Sequence, residues 1–494
     1  MIRVPKEIAE IGAVLQEAGF DAYIVGGCVR DLLLEKTPAD WDITTNAKPA
    51  ELQSLFPESF YENNFGTVTV VTGSKKDSLR HVEITPYRKE TTYTDRRHPD
   101  AITFSESIEE DLKRRDFTIN ALAYNLGTED REQGTSVRLE AVDLFGGQKD
   151  LAEKLIRAVG KPADRFKEDA LRLLRAARLA TELDFDIEPD TAEAIARNAG
   201  SLQFVAKERI REELSKLLMS GMPDRGLEIL RELRLLPYVL KELEEGYGVG
   251  QNKHHIYTVW EHNLKAVKYA AEKKWPLDVR MASLLHDVGK PRSKQGDGPD
   301  STFYGHDIIG ARMTKEILQR LKYPKDFTEK VVKLVRYHLF YYNVDEVTES
   351  SVRRLIARVT LEDMEDLIRV RICDRIGSGV PKAEPYKLRH FRFLVDKLAR
   401  DPVSVKMLRI KGDDVMKITD LPPGPKIGFL LHILLEEVID DPTHNQKKLL
   451  EARVKELNAM SEEQLQILAA EAKKKAIALE EQEVDTMKQK HWVK

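Results

Sequence analysis

The stretch Gly26-Gly27-Cys28-Val29-Arg30-Asp31, followed by Asp40-Trp41-Asp42, constrains this chain more than any other. An apolar run ending at Ile24-Val25 predicts a strand, and the paired glycines predict a tight turn whose bare backbone and Arg30 can approach a triphosphate closely. Side chains alternate along a strand, so Asp40 and Asp42 are expected on one face, able to hold Mg²⁺ against phosphates and an attacking hydroxyl, with Trp41 turned into packing. A lone Gly-Gly is usually only a turn, and a lone Asp-x-Asp is common on solvated surfaces. Together, within one strand, turn, helix and strand, they predict a nucleotidyl-transfer centre.

At 494 residues the chain is too long for one hydrophobic core, and three or four domains are expected. Its 41% hydrophobic and 33% charged residues, with no long apolar run, fit a helix-rich globular protein without a membrane span. The amino terminus lacks an apolar signal core, so a cytoplasmic location is expected. Only Cys28 and Cys373 occur, which excludes a disulfide framework or a cysteine-cluster zinc site. With 79 basic against 83 acidic residues the net charge is −4, so contact with nucleic acid must come from a local basic surface.

Residues 1–150 alternate short helical and strand patterns: a helix over Ile8–Ala18, strands at Ala22–Val25, Gly66–Val71 and His81–Thr85, and a closing segment from Asp111 to Tyr124. An α/β palm is expected there. From about Lys154 the β patterns fade into amphipathic helices punctuated by Pro162, Pro189, Gly221, Pro223 and Pro237, giving a helical neck and body over 151–245. The glycine-rich Gly246-Tyr247-Gly248-Val249-Gly250 marks the start of a histidine-rich helical domain over 246–380, and a helical tail fills 381–494. The charge pattern from Ser461 towards Lys490 reads as a solvated helix.

Two further clusters carry charge. Lys113-Arg114-Arg115-Asp116-Phe117-Thr118-Ile119-Asn120-Ala121 sets three cations before an expected helix with Asp116 as its cap, and Arg115 is suited to neutralise a triphosphate. Glu168-Asp169-Ala170-Leu171-Arg172 begins a ridge in which Asp169, Arg172, Arg175 and Arg178 recur every three residues, as neighbours on one expected helix. Cytosine and adenine share an exocyclic amine donor where guanine and uracil carry a carbonyl, so an Asp acceptor beside an Arg donor would select C and A together.

These motifs, with Lys207-Glu208-Arg209-Ile210-Arg211-Glu212-Glu213 after them and in this order, resemble the class II tRNA nucleotidyltransferases, the CCA-adding enzymes related to bacterial poly(A) polymerases. The resemblance is strong over residues 5–240 and weaker towards 455. It implies an α/β nucleotidyltransferase palm, or head, followed by an all-α neck, an HD-type helical domain and a helical tail. It implies a template-independent enzyme that adds CCA, or the terminal A, to the tRNA 3′ acceptor end from CTP and ATP, with poly(A) polymerase or HD phosphohydrolase as the alternatives. By that resemblance Asp40 and Asp42 are the catalytic Mg²⁺ carboxylates, and Gly27 and Arg30 contact the triphosphate. Arg115, Asp169, Arg172, Arg175 and Arg178 form the nucleotide-binding set, with Asp169 and Arg172 reading the base. Glu83 is a further carboxylate candidate. Glu90-Thr91-Thr92-Tyr93-Thr94-Asp95-Arg96-Arg97-His98-Pro99 resembles the flexible loop kept by relatives that add the terminal A, which argues against a CC-only enzyme.

The second domain resembles the HD phosphohydrolases through His262, the His286-Asp287 pair within Leu284-Leu285-His286-Asp287-Val288-Gly289-Lys290, and Asp374. Imidazole and carboxylate together suit a second divalent metal whose bound water would hydrolyse a phosphoester. His306 and His338 could complete a second ion or contact phosphate, and Lys290 could assist. Cyclic or terminal phosphates on damaged tRNA ends are the substrates the resemblance implies. Oligomeric state is not fixed by the sequence.

Overall fold

The computed structural model describes residues 4–61, 66–90, 102–126, 141–252, 256–296, 298–344, 347–380 and 382–470. Contacts divide the chain into two units, Met1–Glu245 with Ile317–Tyr323, and Gly246–Glu316 with Pro324–Lys494. The glycine-rich stretch therefore coincides with the division.

In the first unit the strands are β1 Tyr23–Val25, β2 Asp42–Thr45, β3 Ser59–Tyr61, β4 Val68–Val71, β5 His81–Pro86, β6 Arg88–Glu90, β7 Ile102–Phe104, β8 Leu122–Asn125 and β9 Ala141–Asp143. Seven of them form one sheet in the order β3-β4-β5-β2-β1-β8-β9, while β6 and β7 pair as a separate ribbon. β1 runs antiparallel to both neighbours, and β2 lies parallel to β5 with Asp42 opposite Glu83. Ile24, Val25, Ile43 and Ile84 are buried at the centre of this sheet, so the branched residues of the period-two pattern set its register. Trp41 is buried as expected.

The strand carrying the acidic pair is shorter than its pattern suggests. β2 begins at Asp42, and Asp40 stands exposed in the bend before it, so the two carboxylates do not share a strand face by alternation. Asp116 likewise caps no helix. The Ile108–Lys113 helix ends at the three cations, and a 3₁₀ turn over Thr118–Asn120 follows.

Beyond residue 150 helices dominate, and Pro162, Pro189 and Pro223 each open one, where a missing N–H costs nothing. One departure from an all-α neck is a parallel pair of two-residue strands, β10 Leu155–Ile156 and β11 Asp186–Ile187, too short to leave a pattern. The Leu171–Leu183 helix buries Leu173, Leu174, Ala176, Ala177 and Ala180. Asp169 precedes that helix rather than belonging to it, its backbone extended and its Oδ1 accepting the Leu171 N–H at 2.9 Å.

The second unit is helical. A reciprocal Thr258 and Glu261 capping box opens the Val259–Glu272 helix, which the Leu277–Leu285, Lys325–Tyr337 and Leu361–Gly377 helices accompany. Further along, the Pro425–Asp440 and Lys447–Asn458 helices bury Leu430, Leu434, Val438, Val454 and Leu457 in one apolar cluster. Residues 462–470 are helical, and the rest of the expected last helix lies outside the described residues. Among the described residues no helix is long and apolar enough to cross a membrane.

Candidate active site and metal centre

The turn after β1 is built around Gly26, whose φ of 81° lies in the region glycine adopts without strain. A Cβ at this position would stand 2.9 Å from Arg115 Nη1 and 3.6 Å from Asp42 Oδ2, so the glycine lets a guanidinium and a carboxylate close over the backbone. Burial pushes the Asp42 carboxyl up, Arg115 opposes this, and the charges of Asp40 and Glu83 add to it, leaving it at about 6. Three carboxylates that repel one another are the surroundings a divalent cation relieves. This donor set fits a divalent cation by chemistry. Arg115 is steadied from behind by Asp111, fully buried, whose Oδ2 accepts Arg115 Nη2 at 3.2 Å while its Oδ1 accepts Arg114 Nη2 at 2.6 Å. Arg30 pairs with Asp31 at 2.7 Å and donates to Asn120 Oδ1 at 2.9 Å.

The arginine ridge is a chain of ion pairs. Arg172 Nη1 meets Glu168 Oε2 at 2.7 Å, and its Nη2 donates to the Arg114 carbonyl at 2.9 Å. Arg175 Nε and Nη2 each reach Asp116 Oδ2 at 2.7 Å, and Arg178 Nε reaches Glu213 Oε2 at 2.6 Å. Burial disfavours the charge of Asp116, but Arg175 and Arg172 outweigh it and bring its carboxyl down to about 2. Asp169 is gripped in bidentate fashion by Arg209, at 2.6 Å to Oδ2 and 3.1 Å to Oδ1. A paired carboxylate still has lone pairs for an amine donor, and the fork of Arg209 fixes where they point.

In the second unit two groups of donors converge, each with its ligand atoms within 4.8 Å: His262, His286, Asp287 and Asp374, and Asp287, His306 and His338, all buried. His262 Nε2 lies 2.8 Å from His286 Nε2, 3.0 Å from Asp287 Oδ2 and 3.4 Å from Asp374 Oδ1. His286, His306 and His338 each direct Nδ1 at a backbone carbonyl three residues earlier, at 2.8, 2.6 and 2.7 Å. A carbonyl can only accept, so each Nδ1 carries the proton and each Nε2 turns inward; burial disfavours the charge of the His286 ring, but Asp287 and Asp374 outweigh it and raise it to about 9. The Nε2 atoms of His306 and His338 are buried with no hydrogen-bond partner among the described residues, although Asp287 Oδ1 lies 3.3 and 3.7 Å away. Burial and the neighbouring His286 hold the His338 ring well below its usual range, hence neutral. Orphaned lone pairs facing a carboxylate are what a cation would satisfy, so the residues fit divalent metal. The sequence explains the closeness through Gly289, where a Cβ would stand 2.3 Å from the His306 carbonyl oxygen.

Residues 22–157 match the poly A polymerase head domain, 184–246 the probable RNA and SrmB-binding site of polymerase A, and 259–376 the HD domain. The CCA-adding enzyme of Geobacillus stearothermophilus is 31% identical over 458 residues, covering 91% of this chain and 96% of that enzyme. The chain belongs to the CCA-adding enzyme family of tRNA nucleotidyltransferases. Within that family, the A-adding tRNA nucleotidyltransferase of Deinococcus radiodurans is 36% identical over 352 residues, 68% of this chain and 76% of that enzyme. The crystal structure of the Bacillus stearothermophilus CCA-adding enzyme in complex with CTP superposes with a TM-score of 0.66 at 27% identity, covering 92% of this chain and 98% of that one.

The geometry groups Asp42, Arg115 and Gly26 by distance, with Asp40 and Glu83 acting on Asp42 through their charge, and sets Arg172, Arg175 and Arg178 in successive ion pairs. At Gly27 a Cβ would make only ordinary contact, 3.6 Å from Arg30 Nη2, so the steric demand falls on Gly26 instead. Sequence reasoning missed Arg209 as the partner of Asp169, and Asp111 behind Arg115. The four-residue spacing of Asp111 and Arg115 was a usable signal for the second; nothing local announces the first, whose partners lie 40 residues apart. The loop expected over Glu90–Pro99 lies outside the described residues beyond Glu90.

Proposed function

We propose that the protein adds CCA, or its terminal A, to tRNA 3′ ends from CTP and ATP without a nucleic-acid template. The observation that carries this reading is the convergence of Asp42 with Arg115 across the Gly26 turn, in a chain of this family. The tRNA 3′-hydroxyl oxygen attacks the α-phosphorus in line, forming the new ester as the bond to pyrophosphate breaks. Asp40 and Asp42 are the residues that would hold Mg²⁺, which when bound supplies charge neutralisation at the reacting phosphates. Arg30 and Arg115 take the charge of the triphosphate. Asp169 accepts from the amine of cytosine or adenine, Arg172 donates to the same base edge, and Arg209 is the positioning residue for Asp169. Arg175 and Arg178 line the ridge behind them. The helical regions follow the acceptor arm by shape and phosphate contacts.

The test is product sequencing after incubation with tRNAs ending at the discriminator base, at C and at CC. Extension of all three to CCA supports full CCA addition; extension of the CC end alone supports an A-adding enzyme. A long tail made from ATP on a generic RNA would overturn both in favour of a poly(A) polymerase.

A second activity is favoured by the converging buried donors of the other unit. His262, His286, Asp287 and Asp374 would hold one divalent cation, and Asp287, His306 and His338 a second, supplying a metal-activated water for phosphoester hydrolysis. Manganese-dependent hydrolysis of bis(p-nitrophenyl) phosphate, lost in His286→Ala, supports it. Metal binding without hydrolysis would make the centre a structural one.

A further inference from the structure

We infer that Asn120 is a positioning residue that makes the choice of base depend on the bound triphosphate, by joining the two recognition elements through its side-chain amide. This rests on the reading of the head as the site of nucleotide transfer. Arg30 Nη1 donates to Asn120 Oδ1 at 2.9 Å, Asn120 Nδ2 donates to Asp116 Oδ1 at 3.3 Å, and Asp116 Oδ2 accepts Arg175 Nε and Nη2, both at 2.7 Å. One amide thus links the arginine after the Gly26-Gly27 turn to an arginine of the ridge. A guanidinium only donates, and the Asp116 carboxyl, ionised at neutral pH because Arg175 and Arg172 outweigh its burial, only accepts, so the amide has a single orientation. Asn120 and Asp116 are both buried. The Asn120 backbone carbonyl also lies against the turn, 4.0 Å from where a Cβ on Gly26 would stand. No local pattern announces this joint, since its outer partners lie 90 and 59 residues apart.

Arg30 Nε and Nη2 donate to Asp31 Oδ1 at 2.9 and 2.7 Å, so Asp31 and Asn120 together fix the plane of the guanidinium. Its fork keeps a further N–H on each terminal nitrogen for phosphate oxygens. A triphosphate held there steadies Arg30, and through the amide it steadies Asp116, the carboxylate that pairs with Arg175 and feels the charge of the base-reading Arg172. Phosphate and base are then recognised by one connected structure rather than two, and a chain of hydrogen bonds in a buried setting strengthens as a whole. Burial raises the Glu182 carboxyl, on the same helix as Arg175, and Arg30 is among the charges that oppose the rise, so this helix passes near Arg30. The residue type is demanding. Ala at this position would leave Arg30 and Asp116 each one contact short, and Asp would set two carboxylates face to face. Because coupling is reciprocal, a correct base also tightens the grip on the triphosphate.

The test uses the full chain and a tRNA ending at CC, where both a CCA-adding and an A-adding enzyme insert A, with kcat and KM measured separately for ATP and for GTP. Asn120→Ala should raise the KM for ATP about tenfold with kcat little changed, and lower the preference for ATP over GTP about tenfold, within the ordinary range of coupling between sites. Arg30→Ala should lower that preference to the same degree. The double variant should lower it no further, because both changes break one chain. Asn120→Asp keeps the acceptor that Arg30 uses and removes the donor that Asp116 uses, so its preference for ATP should fall as well; thermal melting identifies which variants are folded. A folded Asn120 variant that melts earlier but discriminates like wild type overturns the inference, as do losses that add in the double variant. Wild-type chain that inserts no A overturns the reading of the head instead.

Discussion

The two centres use the same kinds of side chain in opposite electrostatic settings. In the head, Asp40 and Glu83 are exposed, and burial of Asp42, opposed by Arg115 and aided by the charges of Asp40 and Glu83, raises its carboxyl to about 6. In the second unit, Asp287 and Asp374 are more deeply buried, yet Lys290 and Arg371 outweigh the burial and hold both well below the usual carboxylate range. Burial therefore does not by itself decide the charge of a carboxylate; the neighbour at 2.6 Å does. One centre sets three carboxylates against Arg115, and the other gives each of two carboxylates its own cation.

The sharpest way to break this contrast is Asp42→Ala, which should lower incorporation of labelled CTP into trimmed tRNA by about 1,000-fold, about 4 kcal/mol in the barrier, while Mn²⁺ uptake dependent on His286 is unchanged. Loss of both would mean the centres are not separate. Next is Asp116→Asn, which leaves the half-buried Arg175 without its carboxylate partner and should cost about 2 kcal/mol in urea unfolding at pH 7. The pH dependence follows by linkage. The Asp116 carboxyl is brought down from an ordinary 3.8 to about 2, so its contribution of about 2 kcal/mol is fully present above 3.8 and is lost as pH falls through 2. Unfolding curves of wild type and variant should converge by about that amount over this interval.

Gly289→Ala should push the His306 carbonyl away at a cost of about 2 kcal/mol, and reduce metal uptake in the second unit while nucleotide incorporation persists. The smallest effect is expected from Arg209→Ala. Loosening Asp169 should raise misincorporation of GTP and UTP relative to CTP by about tenfold, near 1.4 kcal/mol, with little change in tRNA binding. Unchanged selectivity would remove Arg209 as the positioning residue.

Much of the site was legible because its chemistry is local in the chain. Gly26 to Asp31, Asp40 to Asp42 and His286 to Lys290 each supply turn, charge and ligand within a few residues, and their residue types admit few other uses. The extent of β2 was not legible, since Asp40 has the right spacing for a strand that in fact starts at Asp42. Nor was the role of Asp116: its Oδ2 is taken by Arg175, 59 residues on, while its Oδ1 accepts the Phe117 N–H and Asn120 Nδ2 without capping a helix. A short-range pattern proposes a partner, and a long-range ion pair can overrule it.

The sequence by itself determined the order of palm, helices and histidine-rich domain, and the residue types at both centres, because strand alternation, proline and glycine punctuation and ligand chemistry are properties of neighbouring residues. Tertiary structure alone decided that Arg209 holds Asp169 and that Arg175 takes Asp116, partners 40 and 59 residues apart. Charge balance depends on distance and dielectric in three dimensions, and neither is written in the spacing along a chain.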